Sequence, residues 1–426
     1  MSVPLRAPGR SLGRFEVTCL GINAIVGAGI FALPDDLFRD MGGRSPLAFL
    51  VCALGMWPVA WCYAHASGRT ERSGGPYIYV GQAFGPLPGY VVGWMCFINS
   101  IFSFAAVARL AASYVGEAAP SVHLGEWAVR GIALAVIAAF CGLNALGARP
   151  GARVAAAFTV GKVAALLVLI VVAVPAIHVE RLSAPAPHGW HGMQSAVFVA
   201  LFAMQGFEVT PVPAGETRSA SRVMPFAILA SLVGASLLYI VVQAVIVGSY
   251  AALARVSDTP LADAALTIAP RIGTVVVWGG IVSMLGFVAG NAFGTPRYAF
   301  AMAEDGHLPA FVTRTGKRYG APVGAIWTTA VCSALLAVAF PSRALVGISN
   351  LAVAVQYLGT CLAIAHGARR GVPQRGRRWF YATSGALVSL WILTQGTAVE
   401  RWTALAAVGV GLAVGAVTRA RKAALA

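Results

Sequence analysis

The sequence predicts an all-α integral membrane protein of twelve transmembrane helices, arranged as two inverted five-helix repeats followed by two further helices. Three observations carry this. Of the 426 residues 58% are hydrophobic and only 11% are charged, with a mean hydropathy of +0.76, whereas soluble domains run nearer a quarter charged. Long apolar runs recur along the whole chain, each close to the ~20 residues that cross a bilayer. Two of those runs, about 179 residues apart, are interrupted by glycine. Interrupted helices at matching positions of two inverted halves point to a transport site near the bilayer midplane.

Taken in order, the expected spans cover 17–38, 46–66, 87–114, 127–146, 153–176, 193–213, 224–249, 274–302, 322–340, 344–367, 379–397 and 402–419. The chain reads as one membrane domain over 1–426: a cytoplasmic tail (1–16), repeat 1 (17–176), repeat 2 (193–367) and helices 11 and 12 (379–419). The tail is short and basic (Arg6, Arg10, Arg14), and the first apolar run is too long for a signal peptide and lacks a small-residue cleavage site. Span 1 contains GINAIVGAGIFALP (21–34), with Gly27, Ala28 and Gly29 at its centre. Glycine inside a helix costs roughly 0.5–1 kcal/mol relative to alanine, so the spacing predicts a break, and broken backbone at that depth persists only beside a cavity or inside protein. A packing glycine pair is the competing reading. Span 2 opens at Ser45-Pro46. Span 3 begins with Gly85, Gly89 and Gly93, read as a stripe for close helix contact. Span 6 is broken at Gln205-Gly206-Phe207, and span 7 opens at Met224-Pro225, again about 179 residues after its counterpart. Five spans per half, an odd number, force the halves into opposite orientations.

The formal charge of +16 does not indicate nucleic acid, because the basic residues sit in every second loop. Twenty-one of them fall on the side of the termini and seven on the other, which places both termini in the cytoplasm. The seven cysteines lie in apolar segments without a C-x-x-C pair and read as small buried hydrophobes, so neither a metal site, a disulfide framework nor a cofactor is expected. The G-x-S-x-G at 9–13 sits in a basic tail with no preceding strand, and the G-x-G-x-x-A within span 1 lacks a soluble strand–turn–helix unit. The histidines show no zincin spacing. No enzyme is expected.

Four stretches carry a family likeness: NAIVGAGIFALP in span 1, SGGPYIYVGQAFG (73–85) after span 2, FAMQGFEVTPVPAGETRSASRVMPFAI (202–228) across span 6, and PRYAFAMAEDGHLP (296–309) after span 8. Together, in this order and over nearly the whole chain, they resemble the amino acid–polyamine–organocation (APC) permease superfamily. The resemblance implies a LeuT-like fold with broken helices 1 and 6, and an amino acid carried by alternating access. It also implies roles: at the glycine breaks of Gly27 and Gly206, the amides of Ala28 and Gly29 would take the substrate carboxylate. The carbonyls of Ile25, Phe202 and Gln205 would take its ammonium, with Phe202 as an aromatic lid or else an ordinary core or lipid-facing residue. A zwitterion leaving water needs both charges satisfied, and broken backbone offers donors and acceptors together.

Lys162, one of three lysines, lies mid-way along span 5 in TVGKVAALLVLI. A lysine at the bilayer centre costs at least ~2.5 kcal/mol and is functional by default; snorkelling to the cytoplasmic face competes. In proton-coupled members of the resembled family a lysine here stands where sodium binds in sodium-coupled relatives, which implies proton coupling through Lys162 with the carbonyls near Gly27 and the Ser283 hydroxyl as partners. Glu208, the only acid well inside a span, is either a second proton carrier or an acceptor for nearby backbone amides. Glu216, with Arg218 and Arg222, reads equally as a solvated ion pair and as a gate. Arg109 in span 3 either snorkels outward or faces the vestibule. Asn99 and Trp94 are candidates for the side-chain pocket. The expectation is a proton-coupled symporter of a neutral amino acid in a bacterial-type inner membrane, its partners being substrate, protons and lipid. An exchanger or exporter, or a non-transporting receptor on the same fold, are the alternatives.

Overall fold

The computed structural model describes residues 13–69, 74–118, 125–145, 152–211, 217–316, 320–368 and 375–425. Arg6, Arg10, Arg72, Arg149, Glu216, Lys317, Arg318, Arg369 and Arg370 lie outside them, as does most of the G-x-S-x-G stretch. The described elements are α-helical throughout their membrane-crossing parts. They are α1 (Arg14–Ile25), α2 (Gly29–Ala32), α3 (Pro34–Met41), α4 (Pro46–Ser67), α5 (Pro76–Phe84), α6 (Pro86–Ala118), α7 (Glu126–Ala145), α8 (Ala152–Ala173), α9 (Val179–Leu182), α10 (Gly189–Met204), α11 (Ala220–Ser249), α12 (Pro260–Ile268), α13 (Pro270–Glu304), α14 (Val323–Ala339), α15 (Ser342–Ala368), α16 (Arg375–Gln395) and α17 (Ala398–Leu425).

Nine helical stretches among the described residues are long and apolar enough to cross a membrane, counting Arg14–Ala32 as one despite its interruption. The protein is thus an all-α, multi-pass membrane-spanning molecule. The three other expected spans fall on α10 and α14, of 16 and 17 residues, and on α16, which is long enough but opens with Arg375, Arg377 and Arg378.

Proline and glycine set the element boundaries. Proline opens α3, α4, α5, α12 and α13, where its missing N–H costs nothing and its fixed φ suits the first turn. Gly85, at φ +96°, turns the chain from α5 into α6. It is therefore a hinge between helices rather than part of the expected stripe. Gly89 and Gly93 do pack closely: a Cβ on Gly89 would stand 2.8 Å from the Gly81 Cα, and one on Gly93 2.8 Å from the Tyr77 ring.

The core is organised on α6, which packs against α13, α15, α5, α7, α14 and α17. Of its most apolar eighteen-residue stretch 89% is buried, against 17% for α7 and for α17, which lie at the periphery. α1 packs between α11 and α8. This arrangement puts the interruption after α1 and the end of α10 deep among other helices. Six of the seven cysteines are buried, as small hydrophobes would be, and Cys332 is partly so.

Candidate functional site

The interruption of the first span covers residues 26–28, where the backbone leaves the helix at Val26 (φ −74°, ψ 79°) and re-enters it at Gly29. The break is packed from both sides. A Cβ on Gly29 would sit 2.5 Å from the Ala203 Cα, and one on Gly27 would press on the Phe287 ring at 3.1 Å. The amides of Ala28 and Gly29 begin α2, where helix N–H groups have no intrahelical acceptor.

The sixth span is interrupted differently from the expectation. α10 ends at Met204, and residues 205–211 form turns rather than a second helical half. Gly206 has φ +120°, and a Cβ there would overlap the Ala24 carbonyl and lie 2.6 Å from the Ile25 amide nitrogen. Pro211 and Pro213 follow, and proline cannot continue a hydrogen-bonded helix. Gly206 is thus the point at which the two breaks touch, backbone on backbone.

Glu208 stabilises that geometry. It is 3% exposed, and its Oε2 accepts from the Gly206 amide at 2.8 Å and from the Tyr357 hydroxyl at 3.0 Å. In a continuing helix the Gly206 amide would donate to the Phe202 carbonyl. Turned toward Glu208, it leaves that carbonyl without its intrahelical partner. Phe202 itself is buried in the last turn of α10.

Lys162, on α8, is fully buried. Its Nζ donates to the carbonyls of Val26 at 2.6 Å, Asn23 at 3.2 Å and Ser283 at 3.5 Å. The ammonium is therefore aimed at the first break and does not snorkel. The Ser283 hydroxyl, expected to meet the lysine, instead donates to the Val26 and Gly27 carbonyls at 3.2 and 3.0 Å. Thr159, one turn before Lys162, donates to the Cys19 carbonyl at 3.2 Å. α8 thereby supports the end of α1 at two heights.

A polar network joins the second break to α15 and α6. Gln205 Nε2 donates to Asn350 Oδ1 at 2.6 Å, and Asn350 Nδ2 donates to the Phe198 carbonyl at 2.7 Å. Ser349 donates to Asn99 Oδ1 at 2.7 Å and lies 3.4 Å from Gln205 Oε1. Asn99 thus joins the region through Ser349. Trp94 does not: its indole donates to the Ala407 carbonyl of α17 at 2.7 Å, because this face of α6 turns away from the breaks. Tyr239 donates to the Ile25 carbonyl at 2.9 Å and Gln243 to the Pro34 carbonyl at 3.1 Å. Tyr239, Gln243, Ser349, Asn350 and Tyr357 were not foreseen. The signal for Gln243 and Asn350 was present, since each is a polar residue inside an apolar span.

Ile25, Gly27, Ala28, Gly29, Gln205, Gly206, Glu208, Lys162 and Ser283 therefore converge on two touching breaks. Arg109 does not join them. It is 6% exposed, donates to the Ala337 carbonyl at 2.9 Å and pairs with Glu126 at 2.6 Å. It lines a cavity of about 860 Å³ with Glu117, Tyr250, Asp263 and Thr267, at the other end of α6 from Gly89. Beside this cavity Asp35, fully buried, pairs with Arg39 at 3.3 Å and with Arg343 at 3.1 Å, and accepts from the Ser257 amide at 3.2 Å.

Two backbone interruptions held against each other by a buried lysine and a buried carboxylate can present amide donors and carbonyl acceptors to one small zwitterion. Comparison with known proteins shows the family. The chain matches the amino acid permease family over residues 12–410. It is 28% identical over 371 residues to cationic amino acid transporter 4 of Mus musculus, covering 82% of this chain and 58% of that one. It is 27% identical over 368 residues to the branched-chain amino acid permease BcaP of Bacillus subtilis (80% and 77%). It is 30% identical over 386 residues to an uncharacterized transporter of Mycobacterium bovis (86% and 82%). The chain spans less than two thirds of the mouse relative's length. With a family match across nearly its whole length and a membrane-embedded helical body, the chain belongs to the amino acid permease family of the APC superfamily, a family of transport proteins rather than enzymes.

Proposed function

We propose that this permease is a proton-coupled symporter of neutral amino acids. In this reading it works by alternating access on a LeuT-like body of twelve spans, 17–176 and 193–367 forming the inverted repeats and 379–419 the last two helices. It lies in a bacterial-type cytoplasmic membrane with both termini inside. The observation that carries the reading is the coordination of Lys162. A protonated lysine has three N–H donors and no acceptor, and three carbonyls, of Asn23, Val26 and Ser283, surround its Nζ. Deprotonation removes one donor and creates a lone pair that faces carbonyl oxygen. The first break therefore has a different bonding pattern in each protonation state, and the same break supplies the Ala28 and Gly29 amides to the substrate carboxylate. Proton and substrate then act on one segment of backbone, which is what coupling requires.

The ammonium is taken by the carbonyls of Phe202 and Gln205, and by that of Ile25 in exchange for the Tyr239 hydroxyl that donates to it here; the turn at Gly206, tied to Glu208, is what frees the Phe202 oxygen. The relatives' names point to both cationic and branched-chain amino acids. The lining favours a neutral side chain. The Glu208 carboxylate is already engaged by the Gly206 amide and Tyr357, and Gln205, Asn99, Ser349 and Asn350 are uncharged.

The test is uptake of radiolabelled amino acids into proteoliposomes, with and without an inward proton gradient, for wild type and Lys162→Ala. Gradient-driven uptake of neutral amino acids in the wild type, with the gradient dependence lost in the variant, is the expected result. Flux indifferent to the gradient but dependent on amino acid on the far side would replace symport by exchange. Binding without flux would make the protein a receptor.

A further inference from the structure

α4 and α16 pack together, and where the C-terminal end of α4 meets the first turns of α16 they assemble a cationic cluster that shares no residue with the two breaks. Trp61 is stacked between His65 (5.0 Å, 10°) and Tyr381 (4.5 Å, 22°). The Arg377 guanidinium lies over both the Trp61 and Tyr381 rings, at 5.5 and 5.9 Å. Arg69, Arg377 and Arg378 all stand within electrostatic reach of His65, and Arg69 within reach of Arg378. None of the three arginines forms an ion pair with a carboxylate among the described residues.

Arg378 decides the reading. It is only 6% exposed, yet its Nε and Nη1 are buried without a hydrogen-bond partner, and the buried Nε2 of His65 is likewise unpartnered. A guanidinium is always charged and presents its donors in a planar fork suited to carboxylate or phosphate. Burying a charge with its donors unpaired is heavily penalised. Side chains elsewhere in this structure that are as deeply buried and charged are engaged, as with Lys162 on three carbonyls and Glu208 on two donors. The cluster thus has unpaired donors for an oxyanion beside a stack of aromatic rings.

Its surroundings favour a lipid. Phe380 and Leu387, 65% and 66% exposed, lie seven residues apart on α16, close to one face of the helix, and offer apolar surface next to the cluster in sequence. The cluster is at the end of the bundle that the arginine distribution assigns to the cytoplasm, and basic pockets between helices on that face suit anionic headgroups. We propose that the α4–α16 cluster binds a phosphate group, supplied by an anionic phospholipid whose chains lie along α16, with the Arg378 fork on the phosphate oxygens and Arg69 and Arg377 at its rim.

The experiment is thermal unfolding of the full chain in neutral detergent, titrated with short-chain phosphatidylglycerol, with phosphatidylcholine of the same chain length, or with inorganic phosphate. Phosphatidylglycerol is expected to raise Tm saturably and phosphatidylcholine much less. In Arg378→Gln the half-saturating concentration should rise about tenfold, as expected for losing a charge-assisted bond, while Arg314→Gln, an exposed arginine elsewhere, should leave it unchanged. Should Arg378→Gln not fold, the double variant Arg69→Gln/Arg377→Gln, which alters exposed side chains only, should weaken the same titration. Inorganic phosphate that protects equally and competes with the lipid would keep the phosphate site and make its source a soluble phosphate compound. Equal protection of wild type and the cluster variants, equal loss in Arg314→Gln, or equal protection by phosphatidylcholine would overturn the proposal.

Discussion

Gly206 shows how a single residue sets the geometry of the substrate region. Its φ of +120° is a conformation that side chains rarely adopt, and a Cβ there would overlap the Ala24 carbonyl. Gly206→Ala is expected to cost at least about 2 kcal/mol, read as a lower Tm in detergent, and to abolish uptake even in the protein that reaches the membrane. Tyr357→Phe is the milder companion. It removes one of the two donors to Glu208 but leaves the carboxylate its bond from the Gly206 amide, so uptake should fall with KM affected more than expression. Lys162 was legible because a charge in the middle of an apolar run admits few explanations. Ser349 and Tyr357 were not, because serine and tyrosine sit in membrane helices for many reasons and only the fold shows which face they turn. Trp94 illustrates the same limit: its position in span 3 was right for a pocket, but its face belongs to α17.

At the scale of elements, ion pairs tie α3 to α15 and to the connection before α12. Arg343, at the start of α15, bonds Asp35 and Asp36 of α3 and the Ser257 carbonyl of the 250–259 connection. Arg39 pairs with both aspartates as well. Arg343 is 40% exposed, so water screens part of its field. Arg343→Gln should cost on the order of 1–2 kcal/mol, between the values for exposed and buried pairs. Arg343→Lys should recover part of it, with both measured by thermal unfolding. The short helices on which such contacts rest escaped the sequence reading. α5 and α12 have nine residues each, far short of the ~20 apolar residues that mark a span in a sequence. The second half of span 6 failed for the opposite reason. Its apolar letters fitted a helix, but the turn at Gly206 and the missing amide of Pro211 interrupt the hydrogen bonds a helix needs over 205–211.

For the whole molecule, the distribution of basic residues between the two ends predicts an orientation. With seven basic residues counted on one side and twenty-one on the other, the positive-inside rule predicts Arg314 inside and Trp190 outside. In a background without the native cysteines, Arg314→Cys should react with an impermeant thiol reagent only after cells are opened, and Trp190→Cys, 72% exposed in the wild-type residue, should react in intact cells. The reverse pattern would invert the topology. The attachment of α17 has a further consequence. The Tyr90 hydroxyl bonds the Gly411 carbonyl at 2.6 Å and the Trp94 indole bonds the Ala407 carbonyl at 2.7 Å, across 321 and 313 residues of chain. During synthesis α6 leaves the ribosome long before its partner exists. Its two aromatic donors therefore wait, through the insertion of every intervening helix, for α17. Docking of α17 is thus a late event that closes over a helix inserted much earlier, and until it happens the Tyr90 hydroxyl and the Trp94 indole lack the acceptors they hold in the folded protein.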